Sequence, residues 1–255
     1  LLKNLEKNYK FDYIFHQAAI SDTTVSEQDL IIKTNVNAYE DLLKIAIKHK
    51  ANIIYASSAA TYGNSDKFEV GCEKPNNAYG FSKVMMDNIT AEYLKKDLEI
   101  SIVGLKYFNV YGPREFFKNK TASMVVQFGH QILKGLTPKL FEGSDKILRD
   151  FIYIEDVIQA NIKASNPKKS GVYNVGTGCA RSFEDIVNIL QNELEINNGK
   201  EYIPNPYVGS YQFFTEANIE TTKKYLDYEP RFSMEDGIKA YIPEIKRLFQ
   251  EEVKW

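Results

Sequence analysis

The chain has 255 residues, 44% of them hydrophobic and 26% charged, and its net charge of −2 argues against a broad basic surface for nucleic acid or acidic lipid. The two cysteines, Cys72 and Cys179, lie far apart and share no metal-site spacing with the three histidines, so we expect neither a disulfide scaffold nor a metal site. Without an apolar run of about 18 residues or a signal-peptide pattern, the sequence predicts a cytoplasmic protein that does not span a membrane.

The first half of the chain alternates short apolar segments with segments of helical periodicity. We expect three buried strands and two helices: strands within residues 11–19, 52–58 and 100–110, a helix marked by Tyr39, Leu42, Leu43 and Ala46, and a helix carrying Tyr79 and Lys83. This alternation predicts a parallel sheet with right-handed crossovers. Ligands of such sheets bind beyond the carboxyl ends of the strands, so residues 17–24, 57–63 and 107–120 are candidate site segments.

The second half is less regular. Its predicted elements are short strands within residues 139–144, 149–157 and 171–178, a helix with a capping box at Ser182 and Asp185, and a last helix capped at Ser233 and Asp236 with Pro243 as a possible kink. The fold class is therefore α/β, a Rossmann-type parallel sheet with a smaller α/β domain. We expect residues 1–111 and 148–176 to form a partial NAD(P)-binding domain, and residues 112–147 and 177–255 to bind substrate.

Tyr79 precedes Lys83 by four residues, which places both side chains on one face of the predicted helix. A neighbouring ammonium favours the phenolate form, and a serine at a strand end, Ser57 or Ser58, can bind the same substrate oxygen. The set predicts a hydride-transfer site in which Tyr79 exchanges the proton of a substrate hydroxyl. The alternatives are a packed ring beside a solvated amine, and serines that satisfy backbone groups of a turn.

Three motifs resemble a known family. "SSAATYG" (57–63), "YGFSK" (79–83) and "YFNVYGPRE" (107–115) are similar to those of the extended short-chain dehydrogenase/reductase family of nucleotide-sugar epimerases and dehydratases. Four further stretches are similar to its ADP-glyceromanno-heptose 6-epimerase subfamily: "FHQAAISDTT" (15–24), "PKLFEGS" (138–144), "RDF" (149–151) and "YQFFTEAN" (211–218).

The resemblance implies roles for individual residues. Ser58, Tyr79 and Lys83 match the catalytic triad, and Lys118 matches a further catalytic lysine, whose alternative is a solvated loop lysine. The implied cofactor-binding residues are Ala18, Ala19, Ile20, Ser21, Asp22, Asn35, Lys83, Val110 and Lys118. The implied substrate-binding residues are Ser58, Asn109, Lys120, Gln127, Phe141, Glu142, Gly143, Ser144, Arg149 and Tyr211. Relatives carry a serine and a histidine where this chain has Lys120 and Gln127. Tight packing is the alternative for Ala18 and Ala19, and an ion pair with adjacent acids is the alternative for Arg149.

The implied activity is that of an isomerase. It inverts C6 of an ADP-heptose through transient oxidation to a ketone, with NADP (or NAD) as cofactor, in the supply of heptose for lipopolysaccharide, and relatives assemble as pentamers. A UDP-hexose 4-epimerase is the alternative on the same scaffold. A 4,6-dehydratase is disfavoured because Ala59 and Ala60 stand where dehydratases carry an Asp-Glu pair. A non-catalytic scaffold protein is disfavoured by the intact Ser-Tyr-Lys set.

The glycine-rich phosphate loop of this family has no counterpart in the sequence. Gly176-Thr-Gly178 follows a predicted strand, but Arg181 occupies the place of the third glycine, so we interpret the segment as a turn before the helix capped at Ser182. The family places its loop ahead of the segment that begins at Leu1. We therefore expect about three strands to precede this chain in its parent protein, and we expect the chain without them to be an inactive fragment that binds cofactor poorly.

Overall fold

The computed structural model describes residues 6–23, 25–205 and 213–251, excluding the side chains of Asn119 and Lys120. The chain divides into two compact units. The first unit comprises Leu1–Tyr107, Ile158–Val175 and Asn218–Glu229, and the second unit comprises Phe108–Val157, Gly176–Ala217 and Pro230–Trp255. These limits differ from the predicted domains, since residues 108–111, 148–157 and 176 belong to the second unit and residues 218–229 to the first.

The described strands and helices are numbered in chain order. The strands are β1 (Tyr13–His16), β2 (Asn52–Ser58), β3 (Ile102–Tyr107), β4 (Asn109–Tyr111), β5 (Lys139–Phe141), β6 (Leu148–Tyr153), β7 (Gly171–Val175), β8 (Ala180–Ser182), β9 (Glu201–Ile203) and β10 (Phe214–Thr215). The helices are α1 (Gln28–Ile31), α2 (Ala38–His49), α3 (Ala78–Tyr93), α4 (Met124–Leu133), α5 (Ile154–Ala164), α6 (Phe183–Leu194), α7 (Glu220–Leu226) and α8 (Met234–Gln250). A π-helical stretch, Ile32–Asn37, joins α1 to α2.

The first unit is built on a parallel sheet, as predicted. Its strand order is β1-β2-β3-β7, and every neighbouring pair is parallel. Three of the buried residues of α2, Tyr39, Leu43 and Ala46, recur at helical spacing and pack in one apolar cluster with Ile53 and Tyr55 of β2. Since all four strands run in one direction, the carboxyl ends of β1, β2 and β3 lie at one edge of the sheet.

The second unit contains two small sheets and three packed helices. β10, β6 and β4 form one parallel sheet, to which β8 adds antiparallel to β6, and β5 pairs with β9. Helices α4, α6 and α8 share an apolar cluster that includes Phe128, Leu190 and Ile245. The predicted capping box is confirmed, because Ser182 and Asp185 each accept a hydrogen bond from the other's backbone N–H. Ser233 caps α8, which continues through Pro243.

Several features of the fold differ from the sequence prediction. The predicted strand 100–110 is two strands interrupted at Phe108, because β3 pairs with β2 and β7 whereas β4 pairs with β6. The predicted strand 149–157 ends at Tyr153, and α5 begins at Ile154. Strands β8, β9 and β10 were not predicted, since each is only two or three residues long and is defined by its partner strand.

Two further findings concern the chain as a whole. Both cysteines are free thiols, with Cys179 exposed and Cys72 partly buried. Within the ranges described above, none of the helices combines the length and the apolar character that crossing a bilayer requires.

Candidate active site

Ser58 lies at the point where β2 turns into the short 3-10 helix Ala59–Thr61. Its Oγ accepts a hydrogen bond of 3.1 Å from the Ala60 N–H, and its carbonyl accepts one of 2.7 Å from the Thr61 hydroxyl. The serine therefore does satisfy a backbone donor of the turn. These contacts also fix its hydroxyl at the carboxyl end of the strand.

The first turn of α3 brings Tyr79 to this serine. Asn77 begins the helix by accepting a hydrogen bond of 2.8 Å from the Gly80 N–H. Gly80 permits close packing against the serine turn, because a Cβ there would lie 2.5 Å from the Ala60 carbonyl oxygen. The Ser58 side chain is near enough to the Tyr79 hydroxyl to oppose the rise in the pKa of the phenol. The predicted pairing of these two residues is present in the first unit.

Lys83 lies one turn further along α3, on the same face as Tyr79. Its Nζ is 5.8 Å from the centre of the Tyr79 ring and donates a hydrogen bond of 2.6 Å to the Ala56 carbonyl. The side chain is only 1% exposed. Burial lowers the pKa of Lys83 to about 8, and the negative charge of Asp87 opposes this. Lys83 therefore carries a buried ammonium at neutral pH that is easily deprotonated.

The acidity of Tyr79 differs from the prediction that Lys83 lowers it. Burial raises the pKa of Tyr79 above its ordinary value, and the nearby Ser58 side chain opposes this rise. Desolvation disfavours the charged phenolate, and in this structure it is the larger effect. Tyr79 therefore holds its proton at neutral pH in the form of the protein described here.

The predicted cofactor residues of the first unit surround the loop after β1. Asn35, fully buried in the π-helical stretch, accepts from the Ile20 N–H at 2.9 Å and donates to the Ile20 carbonyl at 3.0 Å. It also donates to the Ser82 hydroxyl at 3.1 Å, which joins the loop to α3 beside Lys83. Ala19, Ile20 and Asp22 are partly buried, and Ala18 and Ser21 are exposed.

These residues fit a dinucleotide. A loop of small residues with an immobilised backbone allows close approach of a ligand to the strand end. The Lys83 ammonium has three N–H donors. Among the described residues, one of them is hydrogen-bonded to the Ala56 carbonyl. The other donors could therefore bind ribose hydroxyls.

The remaining predicted site residues belong to the second unit. Asn109 and Val110 lie on β4, and the Asn109 side chain donates to the Asp150 carbonyl at 3.0 Å. Lys118 is exposed in the 3-10 segment Phe116–Thr121. The Gln127 amide donates to the Ala122 carbonyl at 2.7 Å. The Lys120 side chain and Tyr211 lie outside the described residues.

Four predicted substrate residues follow one another at the end of β5. Phe141 is partly buried, Glu142 and Gly143 are exposed, and Ser144 is 1% exposed with no hydrogen-bond partner for its Oγ among the described residues. Arg149 on β6 is buried, and its guanidinium donates to the Leu148 carbonyl at 3.0 Å. Within the second unit, Asn109 and Arg149 thus lie on paired strands.

The Gly176-Thr-Gly178 segment is a turn, as predicted. The buried Asp150 carboxylate accepts hydrogen bonds from the N–H groups of Thr177, Gly178 and Ala217 at 2.8–3.1 Å. A Cβ on Gly176 would lie 2.6 Å from that carboxylate, so only glycine fits. Sequence reasoning missed Asp150, although a single acid in the apolar stretch 148–153 was an available signal.

Two more buried charges were missed, both in the first unit. Asp87 lies four residues after Lys83, and Lys106 is the lone charged residue of β3. Their side chains form an ion pair of 2.6 Å. Elsewhere, the described residues contain no cluster of three or more His, Cys, Asp or Glu side chains arranged to hold a metal ion.

Comparison with known proteins identifies the family. A profile of the NAD dependent epimerase/dehydratase family matches residues 1–176. The chain belongs to this family. Ser58, Tyr79 and Lys83 all lie within the matched part of this epimerase/dehydratase chain.

Several members of the family are similar over nearly the whole chain. An ADP-L-glycero-D-manno-heptose-6-epimerase of Brachyspira hyodysenteriae is 38% identical over 94% of this chain and 77% of its own length. The crystal structure of the Helicobacter pylori enzyme of the same name is 50% identical, with a TM-score of 0.85 over 96% of this chain and 76% of that chain. A UDP-glucose 4-epimerase of Thermotoga maritima, solved with UDP-glucose, is 26% identical, with a TM-score of 0.86 over 96% of this chain and 81% of that chain.

Proposed function

We propose that this protein is an ADP-glyceromanno-heptose 6-epimerase. It inverts C6 of the heptose by transient oxidation of the C6 hydroxyl to a ketone, followed by re-reduction from the opposite face. The observation that carries the proposal is the contact set of Ser58, Tyr79 and Lys83 at the strand edge of the first unit. The two relatives that bear this enzyme's name support the choice of substrate.

Proton exchange with the substrate hydroxyl is assigned to Tyr79. The Ser58 hydroxyl, which is near the phenol, binds the same substrate oxygen and orients it. Release of the phenolic proton near neutral pH requires a lower pKa than burial gives Tyr79. The Lys83 ammonium, 5.8 Å from the ring centre, is the cation of the first unit that favours the phenolate.

NADP is the proposed cofactor, and NAD is the alternative within this NAD dependent family. When bound, it supplies the acceptor and donor of hydride. The residues that would hold it are Ala18, Ala19, Ile20, Ser21, Asp22, Asn35, Lys83, Val110 and Lys118. Asn35 supports this assignment because it fixes both polar groups of the Ile20 backbone. In this scheme the first unit mainly binds cofactor and the second mainly binds substrate.

Inversion needs a proton-transfer group for each face of the ketone. The resemblance assigns the second group to Lys118, whose side chain is exposed in the second unit. Tyr79 and Lys118 would each act as acid or base in one half of the reaction.

The nucleotide sugar is assigned to residues of the second unit and Ser58. They are Asn109, Lys120, Gln127, Phe141, Glu142, Gly143, Ser144, Arg149 and Tyr211. Arg149 suits a diphosphate, because a planar guanidinium binds phosphate oxygens in pairs. The buried hydroxyl of Ser144, which has no hydrogen-bond partner in the part of the chain that the structure describes, also supports a ligand at this position.

A UDP-hexose 4-epimerase remains the second candidate, because the Thermotoga structure shares the fold. Its lower identity, 26% against 50% for the Helicobacter structure, favours the heptose substrate. A pentameric assembly and a cytoplasmic location belong to the same proposal and rest on the family resemblance.

Substitution of Tyr79 by phenylalanine in the full-length protein tests the assignment. We expect turnover of ADP-heptose to fall about 10²–10⁴-fold, the usual contribution of an acid–base group, because the ring remains and only the exchangeable proton is lost. NADP binding, followed by fluorescence titration, should be unchanged. Tyr93→Phe, at the far end of the same helix, is the matched control. Wild-type turnover in Tyr79→Phe would overturn the assignment.

A further inference from the structure

We propose that Asp87 and Lys106 form a buried positioning pair that holds Ser58, Tyr79 and Lys83 in their working arrangement. The inference rests on the proposed function, because it concerns the same site, but it assigns a role to two residues outside the triad. Neither residue is given a part in proton transfer. Both act through the side chains and backbone groups that they bind.

Three residues of α3 contact three consecutive residues of β2. Tyr79, Lys83 and Asp87 follow one another at intervals of four residues and share one face of the helix. The Tyr79 hydroxyl is near the Ser58 side chain. The Lys83 Nζ donates to the Ala56 carbonyl at 2.6 Å, and the Asp87 carboxylate accepts from the Ser57 hydroxyl at 2.9 Å. Asp87 therefore makes the third of the contacts that fix the position of α3 against β2.

The Asp87 carboxylate accepts hydrogen bonds from three side-chain donors. Besides Ser57, it accepts from the Tyr55 hydroxyl at 2.9 Å and from the Lys106 Nζ at 2.6 Å. Burial raises the pKa of Asp87, and the ion pair with Lys106 and the two hydroxyl hydrogen bonds oppose that rise. Through these hydrogen bonds, the Asp87 carboxylate connects α3 to both β2 and β3.

Lys106 reaches the catalytic serine by a second path. Its Nζ donates to the Thr61 hydroxyl at 2.9 Å, and that hydroxyl donates to the Ser58 carbonyl at 2.7 Å. The third acceptor of the ammonium is Glu73, at 3.0 Å. With Asp87, Thr61 and Glu73, all three donors of this fully buried ammonium are satisfied.

The pair also affects the charge of Lys83. The titratable and charged groups facing Lys83 are Tyr79 and Asp87 on its own helix and His16 on β1, with Lys106 and Glu73 beyond Asp87. Burial, with the nearby Lys83 charge, lowers the pKa of His16 to about 4, so it is neutral at physiological pH. Among these groups, the Asp87 carboxylate raises the pKa of Lys83 and so favours its charged form.

A buried ion pair is not needed for stability alone, because apolar residues of similar size are often as stable. Removing one partner, in contrast, leaves a buried charge without compensation. A positioning role and a packing role therefore make different predictions for single and double substitutions.

The test uses the full-length protein with Asp87→Asn, with Lys106→Met, and with a double variant that combines Asp87→Leu and Lys106→Met, so that both charges are replaced by apolar side chains. We expect Asp87→Asn to lower kcat about 10²-fold, the effect of a displacement of about 1 Å at a reacting group, with the KM for ADP-heptose unchanged. The double variant should have a higher melting temperature than Lys106→Met, because the buried Asp87 charge is removed together with its partner, but it should not recover kcat, because the Ser57 and Thr61 contacts are absent. Glu92→Gln, an exposed ion-paired acid on the same helix, is the matched control and should be neutral in every assay.

A second measurement is independent of turnover. The pKa of Lys83, about 8 in the wild-type protein, is measured by NMR of carbon-13-labelled lysine and assigned with Lys83→Arg. We expect it to fall by about one unit in Asp87→Asn and also to fall in the double variant. Recovery of kcat together with melting temperature in the double variant, or an unchanged Lys83 pKa, would overturn the positioning role. Absence of turnover in the wild-type protein would overturn the proposed function alone, since the NMR titration would still decide the role of the pair.

Discussion

The charge on Lys83 is sensitive to pH close to neutrality. Burial lowers the pKa of its ammonium to about 8, from the value of about 10.4 in water. The ammonium is therefore present below about pH 8 and lost above it. In the proposed mechanism this ammonium favours the Tyr79 phenolate, so the pH at which Lys83 loses its proton should limit the reaction.

Turnover should decline on the alkaline side as Lys83 deprotonates. We expect kcat/KM for ADP-heptose to fall above about pH 8, the pKa that burial gives this ammonium. Lys83→Arg should lower the maximum rate, because the guanidinium has a different shape, but move the alkaline decline to higher pH, because a guanidinium stays charged. A wild-type profile that stays flat between pH 7 and pH 10 would show that the charge of Lys83 is not required.

At the scale of elements, the site depends on the close contact of α3 with the turn after β2. Asn77 fixes where the helix begins, and so which residues fall in its first turn. Gly80 lets that turn approach the Ala60 carbonyl. The distance between Tyr79 and Ser58 therefore depends on Gly80, a residue that has no side chain.

Gly80→Ala should damage the site although alanine is the better helix former. The intrinsic gain is about 1 kcal/mol, but a Cβ 2.5 Å from the Ala60 oxygen forces α3 away from the serine turn. We expect a lower melting temperature and a larger loss in kcat than in substrate affinity. Asn88→Ala, at an exposed position of the same helix, is the control for helix propensity. Wild-type kcat and melting temperature in Gly80→Ala would refute the argument.

Local patterns predicted the elements that carry the triad, because β2 and α3 are each defined by nearby residues. The capping box at Ser182 was predictable for the same reason. The break at Phe108 was not, since periodicity cannot show that β3 and β4 pair with different strands. The Asp87–Lys106–Glu73 cluster joins a helix, a strand and a loop that are distant in sequence. Only the folded chain brings such residues together.

For the molecule as a whole, the proposal assigns the chemistry mainly to the first unit and the choice of sugar mainly to the second. The family profile covers the triad and β6, which carries Arg149. In this proposal the contacts assigned to the sugar would select an ADP-heptose over a UDP-hexose, whereas the triad would serve both reactions. Substrate preference and reaction type are thus separate properties, and one experiment can measure both.

Proton NMR of ADP-heptose and UDP-galactose, each incubated with the full-length protein in D₂O, tests the central claim most directly. We expect ADP-heptose to reach a mixture of its two C6 epimers, with hydrogen rather than deuterium retained at C6, because the hydrogen that leaves this carbon as hydride is the one that returns. UDP-galactose should remain unchanged. Deuterium at C6 of the product, or inversion of UDP-galactose without inversion of ADP-heptose, would contradict the account.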